Sequence, residues 1–126
     1  HLAELFNISD LVFDEQAITE GNKKPDFLFP NTNSYFDPKF QDDKLVVLAA
    51  KTTCKDRWRQ ILNEADRIKT KHLFTLQQGI SSNQLTEMWK YDVQLVVPKS
   101  NIKTFPPDFR DKIMTLDNFI GFINNL

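Results

Sequence analysis

Glycine, cysteine and histidine are scarce in this chain, and each scarcity closes off a class of chemistry. There are three glycines in 126 residues, and no Gly-rich turn follows an apolar strand. That excludes a phosphate-cradling loop of the nucleotide-binding kind. The one cysteine, Cys54, cannot form an internal disulfide, which fits a reducing cytoplasm. With only His1 and His72 beside it, no zinc site of the usual kind can be assembled. There is no Gly-x-Ser-x-Gly elbow, and Cys54 has no obvious histidine partner. No apolar run approaches the roughly 18 residues of a membrane span. The opening His1-Leu2-Ala3-Glu4 has neither the basic start nor the apolar core of a signal peptide. The expectation is a cytoplasmic protein with no membrane partner.

What is present is a globular composition, 40% hydrophobic and 26% charged, at a length suited to one domain spanning residues 1–126. The net charge is −1, but its distribution is uneven. Residues 1–50 carry 4 basic and 9 acidic side chains, whereas residues 51–71 carry 7 basic and 3 acidic. A local positive field therefore sits on the centre of the chain, either as a solvated face or as a surface for an anionic partner.

That centre holds the clearest element. Leu45–Ala50 is a six-residue apolar run ending on Lys51. Both faces of the strand are apolar, which marks a central strand covered on both sides. By alternation Lys51 shares the face of Leu45, Val47 and Ala49. Upstream, His1–Phe6 has helical spacing but no cap and reads as the end of a helix cut from something longer. Phe27–Phe29 is a short strand between Pro25 and Pro30, with Asp26 at its mouth. Asn31–Pro38 reads as loop. Downstream, the stripe of Trp58, Ile61, Leu62, Ala65 and Ile68 predicts an α-helix from about Lys55 to Lys69, with Arg57 and Glu64 on one flank. Strands follow at His72–Leu76 and Val93–Val97, with a helix from Ser81 between them and a closing amphipathic helix around Leu116–Leu126. The fold class predicted is α/β, a central mixed β-sheet flanked by α-helices.

Asp26, Lys51 and Glu64 are the residues left for chemistry. A carboxylate at a strand mouth and a lysine ending the next strand is the layout of the Pro-Asp…(Asp/Glu)-x-Lys nuclease core. Phosphodiester hydrolysis uses a divalent metal on hard oxygen ligands, which polarises the phosphoryl oxygen and activates water. The lysine orients that water or offsets charge growing on the phosphate. The usual second carboxylate would stand two residues before the lysine, and Ala49 is there instead. Glu64, 13 residues past Lys51 on the expected helix, can make up the deficit. The alternatives are a turn aspartate, a surface glutamate and a snorkelling lysine.

The run Lys51–Asp66, together with Lys24-Pro-Asp-Phe-Leu-Phe-Pro30, His72-Leu-Phe-Thr-Leu-Gln77 and Leu95-Val-Val-Pro98, resembles the C-terminal catalytic domain of EcoRII-type restriction endonucleases. That family has a relocated glutamate, matching the departure at Ala49 and Glu64. The resemblance implies a restriction-endonuclease-like core and Mg²⁺-dependent cleavage of double-stranded DNA at a CCWGG-type site (W is A or T). It assigns metal ligation to Asp26 and Glu64 and catalysis to Lys51, and it places Tyr35 near the active site. It matches Lys55-Asp56-Arg57 to a base-reading triplet, and the chemistry agrees. Cations bond guanine O6 and N7, and a carboxylate accepts from cytosine N4. A homodimer would read both halves of a palindrome. Relatives also extrude the central base pair, have a glutamate on the preceding helix and carry a separate N-terminal domain. The chain is thus expected to be truncated at its N terminus, and the alternative is a catalytically impaired DNA-binding fragment.

Overall fold

The computed structural model describes residues 2–19, 23–55 and 57–126. Helix α1 (Leu2–Ile8) leads to strand β1 (Asp14–Glu15), strand β2 (Phe27–Phe29) and the short helix α2 (Thr32–Phe36). Strand β3 (Val46–Lys51) follows, then β4 (Lys71–Thr75), helix α3 (Ser82–Lys90), β5 (Val93–Val97), β6 (Met114–Thr115) and helix α4 (Leu116–Asn124). The strands form one six-stranded sheet in sequence order. β1, β2 and β3 pair antiparallel, and β3 to β6 run parallel, so the sheet is mixed as expected. β3 lies inside it, between β2 and β4, because it is apolar on both faces.

Alternation divides the core into two layers. On one face Phe27, Phe29, Val46, Leu48, Phe74 and Val96 pack with Phe6 of α1 and Phe119 of α4. Phe6 meets Phe13, Phe27 and Phe29 edge-on, at centroid distances of 5.7, 5.2 and 5.5 Å. Burying a ring this completely contributes on the order of 2–3 kcal/mol beyond leaving it in water. On the other face Ala49, Leu73, Leu95 and Val97 pack with Trp58, Ile61, Leu85 and Met88, and Leu28 and Val47 pack with Tyr35, Ala65 and Ile68.

The stretch expected as one α-helix from Lys55 to Lys69 is different. Arg57–Asn63 is a 3-10 helix, ended by Ala65 in a left-handed conformation at φ +53°. Two tight turns in succession bury Trp58, Ile61, Ala65 and Ile68, and that spacing imitates a continuous helical stripe. The Lys71 ammonium pins the break by donating to the carbonyls of Ala65, at 2.7 Å, and Ile68. Arg57 and Glu64 therefore do not share a helix flank. Helix α2 also replaces part of the expected loop. Asn31 Oδ1 caps it by accepting from Ser34 N–H at 2.8 Å. Among the described residues, no helix is long and apolar enough to cross a membrane.

Candidate active site

Asp26 stands immediately before β2, and the antiparallel register carries it to the far end of β3. Its Oδ2 accepts from the Ala50 backbone N–H at 2.8 Å, and its Oδ1 accepts from Gln16 Nε2 at 3.1 Å. Gln16 is fixed in turn, since its own N–H donates to the Asp26 carbonyl at 3.1 Å. Asp26, Ala50, Lys51 and Gln16 line one open cleft of about 550 Å³, whose apolar wall includes Phe27 and Phe74.

Glu64 is not among the residues that line this cleft. It follows the 3-10 helix, and its N–H donates to the Ile61 carbonyl at 3.1 Å. It is half-buried, and burial raises its carboxyl above the ordinary range. The Lys51 charge opposes that rise, the Asp26 carboxylate adds to it, and Lys71 and Lys23 oppose it further. The charges of Lys51 and Asp26 are thus felt at Glu64, although it stands outside the cleft that those two line. Ala49, where the usual second carboxylate would stand, is 2% exposed and packs in the layer of Trp58 and Leu73. An acid there would be desolvated among apolar side chains.

The chemistry of Asp26 and Glu64 is of the kind a magnesium ion takes. Two carboxylates present hard oxygens, and Mg²⁺ binds through one or two carboxylates while keeping waters and substrate phosphates as its other ligands. Among the described residues no cluster of three or more histidine, cysteine, aspartate or glutamate side chains gathers.

Tyr35 falls elsewhere. It is 2% exposed in the core, and its hydroxyl accepts from the Arg67 backbone N–H at 3.0 Å. The Arg67 guanidinium donates to the carbonyls of Ser34, Tyr35, Asp37 and Phe40 and to Asp42 Oδ1, so one side chain closes the end of α2. Tyr35 braces the chain just after Glu64 and does not line the cleft.

Lys55 and Arg57 are exposed, on the connection that leaves β3 and at the first residue of the 3-10 helix. Asp56 lies outside the described residues. Gln16, Thr75, Gln77, Arg67 and Lys71 support the site and its surroundings without standing among the residues expected from sequence. Gln16 leaves no signal, being a lone polar residue ten positions from its partner. Thr75 and Gln77 had one, since both are polar side chains at the end of an apolar strand.

The mixed sheet with its flanking helices is the fold of a restriction endonuclease. A structure of metal-depleted Ecl18kI in complex with uncleaved, modified DNA superposes on 98% of this chain and 42% of that one, with a TM-score of 0.82 at 21% identity. A second structure, of metal-depleted Ecl18kI in complex with uncleaved DNA, superposes equally well. The family described as EcoRII C terminal matches residues 1–120, and the chain belongs to that family. It is 55% identical over 127 residues to the type II restriction enzyme EcoRII of Escherichia coli. The match takes in the whole chain and 31% of that enzyme's length.

Proposed function

We propose that this chain is the cutting domain of a Mg²⁺-dependent type II restriction endonuclease that hydrolyses double-stranded DNA at a CCWGG-type site. The observation that supports the reading is the Asp26 carboxylate held by the Ala50 N–H, one residue before Lys51, in the cleft that Asp26 and Lys51 both line, with both charges felt at Glu64. Asp26 and Glu64 would hold the ion. When bound there, it supplies Lewis-acid polarisation of the phosphoryl oxygen and acidifies water. Lys51 contributes a cation beside the scissile phosphate, orienting the attacking water and offsetting charge on the phosphoryl oxygens. Gln16 and the Ala50 N–H hold the Asp26 carboxylate in one orientation, so little reorganisation accompanies the reaction.

Readout belongs to Lys55, Asp56 and Arg57, three residues able to bond adjacent C·G pairs in the major groove. A homodimer in the bacterial cytoplasm, reading both halves of a palindrome, is the assembly that suits such a site. The test is incubation with Mg²⁺ and a mixed DNA substrate, followed by mapping of the ends. Ends clustered at CCWGG, and none in EDTA, support the reading; no cleavage at any Mg²⁺ concentration contradicts it.

A second reading, specific binding without cleavage, draws on the sparse donor set, in which two carboxylates stand where many metal sites have more. CCWGG-specific binding that survives EDTA, with no nicking, favours it.

A further inference from the structure

Lys51 and the triplet that begins at Lys55 are joined by only Thr52, Thr53 and Cys54. The end of β4 holds this connection from the side. Thr75 is the register partner of Lys51 and is fully buried. Its hydroxyl donates to the Thr52 carbonyl at 3.1 Å and accepts from the Gln77 N–H at 3.1 Å. Two residues further on, Gln77 Oε1 accepts from Cys54 N–H at 2.8 Å, from Lys55 N–H at 3.2 Å and from the Cys54 thiol at 3.4 Å. An amide oxygen has two lone pairs, so three donors exhaust it.

The backbone it grips is one that would not hold this shape by itself. Lys55 has φ +36°, in the left-handed region that disfavours a side chain. The Lys55 N–H has Gln77 Oε1 as its acceptor. The Arg57 N–H in turn donates to the Cys54 carbonyl at 2.6 Å, so the 3-10 helix starts from the residue that Gln77 holds. Lys55 and Arg57 themselves are exposed and project from this fixed base.

We propose that Gln77 is a positioning residue for sequence readout: its amide oxygen sets the backbone from which Lys55 and Arg57 reach DNA, while Thr75 ties the same connection to Lys51. The inference rests on the reading of Lys55 and Arg57 as base contacts. Preorganising a recognition loop removes the ordering cost that would otherwise be subtracted from binding.

Two variants test it in the full chain. Gln77→Met removes the acceptor at nearly constant volume, and Gln77→Glu keeps an acceptor oxygen in place. The first readout needs no DNA. Cys54 is the single cysteine and is fully buried, so its rate of reaction with a thiol reagent reports opening of the loop. The second is binding to a CCWGG duplex against a duplex with one C·G pair replaced, with thermal melting as the control for folding. Gln77→Met should expose Cys54 at least about tenfold faster and cut the preference for CCWGG by about tenfold or more, as expected for orphaned backbone donors. Gln77→Glu should keep Cys54 protected and retain most of the preference. A folded Gln77→Met protein with Cys54 still protected and preference intact overturns the proposal. Loss of preference in Gln77→Glu with Cys54 still protected also overturns it, because the amide would then be reading DNA directly. If the unsubstituted chain shows no preference for CCWGG, the readout reading itself has failed, and it takes the proposed role with it.

Discussion

The Asp26 carboxylate accepts a hydrogen bond from the Ala50 backbone N–H at 2.8 Å, one residue before Lys51. A carboxylate at the mouth of β2 is thereby locked to the end of the neighbouring strand, which is where the lysine emerges. Substitution separates its two duties. Asp26→Asn can keep an acceptor for Ala50 but loses the charge, so melting should be little changed while cleavage falls by at least about a hundredfold. Asp26→Ala should lose about 1–2 kcal/mol of stability as well, because the Ala50 N–H is orphaned. Paired melting curves and single-turnover cleavage rates check both.

Glu64 is half-buried, with its carboxyl raised by desolvation. A group whose folded pKa lies above its unfolded value is protonated more readily in the folded protein. Its penalty is absent below the unfolded pKa and grows as pH rises through the folded one. Glu64→Gln should therefore raise the melting temperature of the protein in EDTA at neutral pH while abolishing Mg²⁺-dependent cleavage. A lower melting temperature in EDTA would mean that the carboxylate is stabilising rather than strained.

Tyr35 behaves as a brace. Tyr35→Phe removes the acceptor for the Arg67 N–H and should cost about 1–2 kcal/mol in a denaturant titration. Cleavage by the folded fraction should fall by less than about tenfold, since the hydroxyl faces the backbone rather than the cleft. A loss comparable to that of a Lys51 variant would return Tyr35 to the chemistry.

His72 gives the fold an acid limit. Burial against Phe119 and Phe122 of α4 lowers its pKa from 6.5 to about 4, and Nδ1 has no hydrogen-bond partner among the described residues. The folded value lies below the unfolded one, so the unfolded chain binds the proton first. This contribution to stability is complete above about pH 6.5 and is lost as pH falls towards 4, by about 3 kcal/mol in the limit. Equilibrium unfolding followed between pH 7 and 4 should show that loss, and His72→Phe should flatten it.

The sequence exposed what depended on simple alternation. β3 and β5 could be read because their apolar runs fit strands covered on both faces, and the mixed sheet followed from their order. It misled where two structures share one period. Trp58, Ile61, Ala65 and Ile68 have helical spacing, yet the chain makes two tight turns around a left-handed Ala65. Glu64 sits on no helix flank, although its spacing from Arg57 implies one. Its environment is set instead by that break, which the Lys71 ammonium fixes through the Ala65 and Ile68 carbonyls, and the Lys51 and Asp26 charges are felt there. The interior position of Tyr35 and the clamp made by Gln77 depend on partners 32 and 22–23 residues away, and no local pattern carries such pairs.

The cutting site proposed for Asp26, Lys51 and Glu64 depends above all on Lys51. Single-turnover cleavage of a CCWGG duplex in Mg²⁺ should be measured for the unsubstituted chain and for Lys51→Ala, alongside duplex affinity in Ca²⁺. The expected result is cleavage by the first, a loss of at least about a hundredfold in the second and affinities that differ by less than about tenfold. Cleavage by Lys51→Ala at the unsubstituted rate would contradict it.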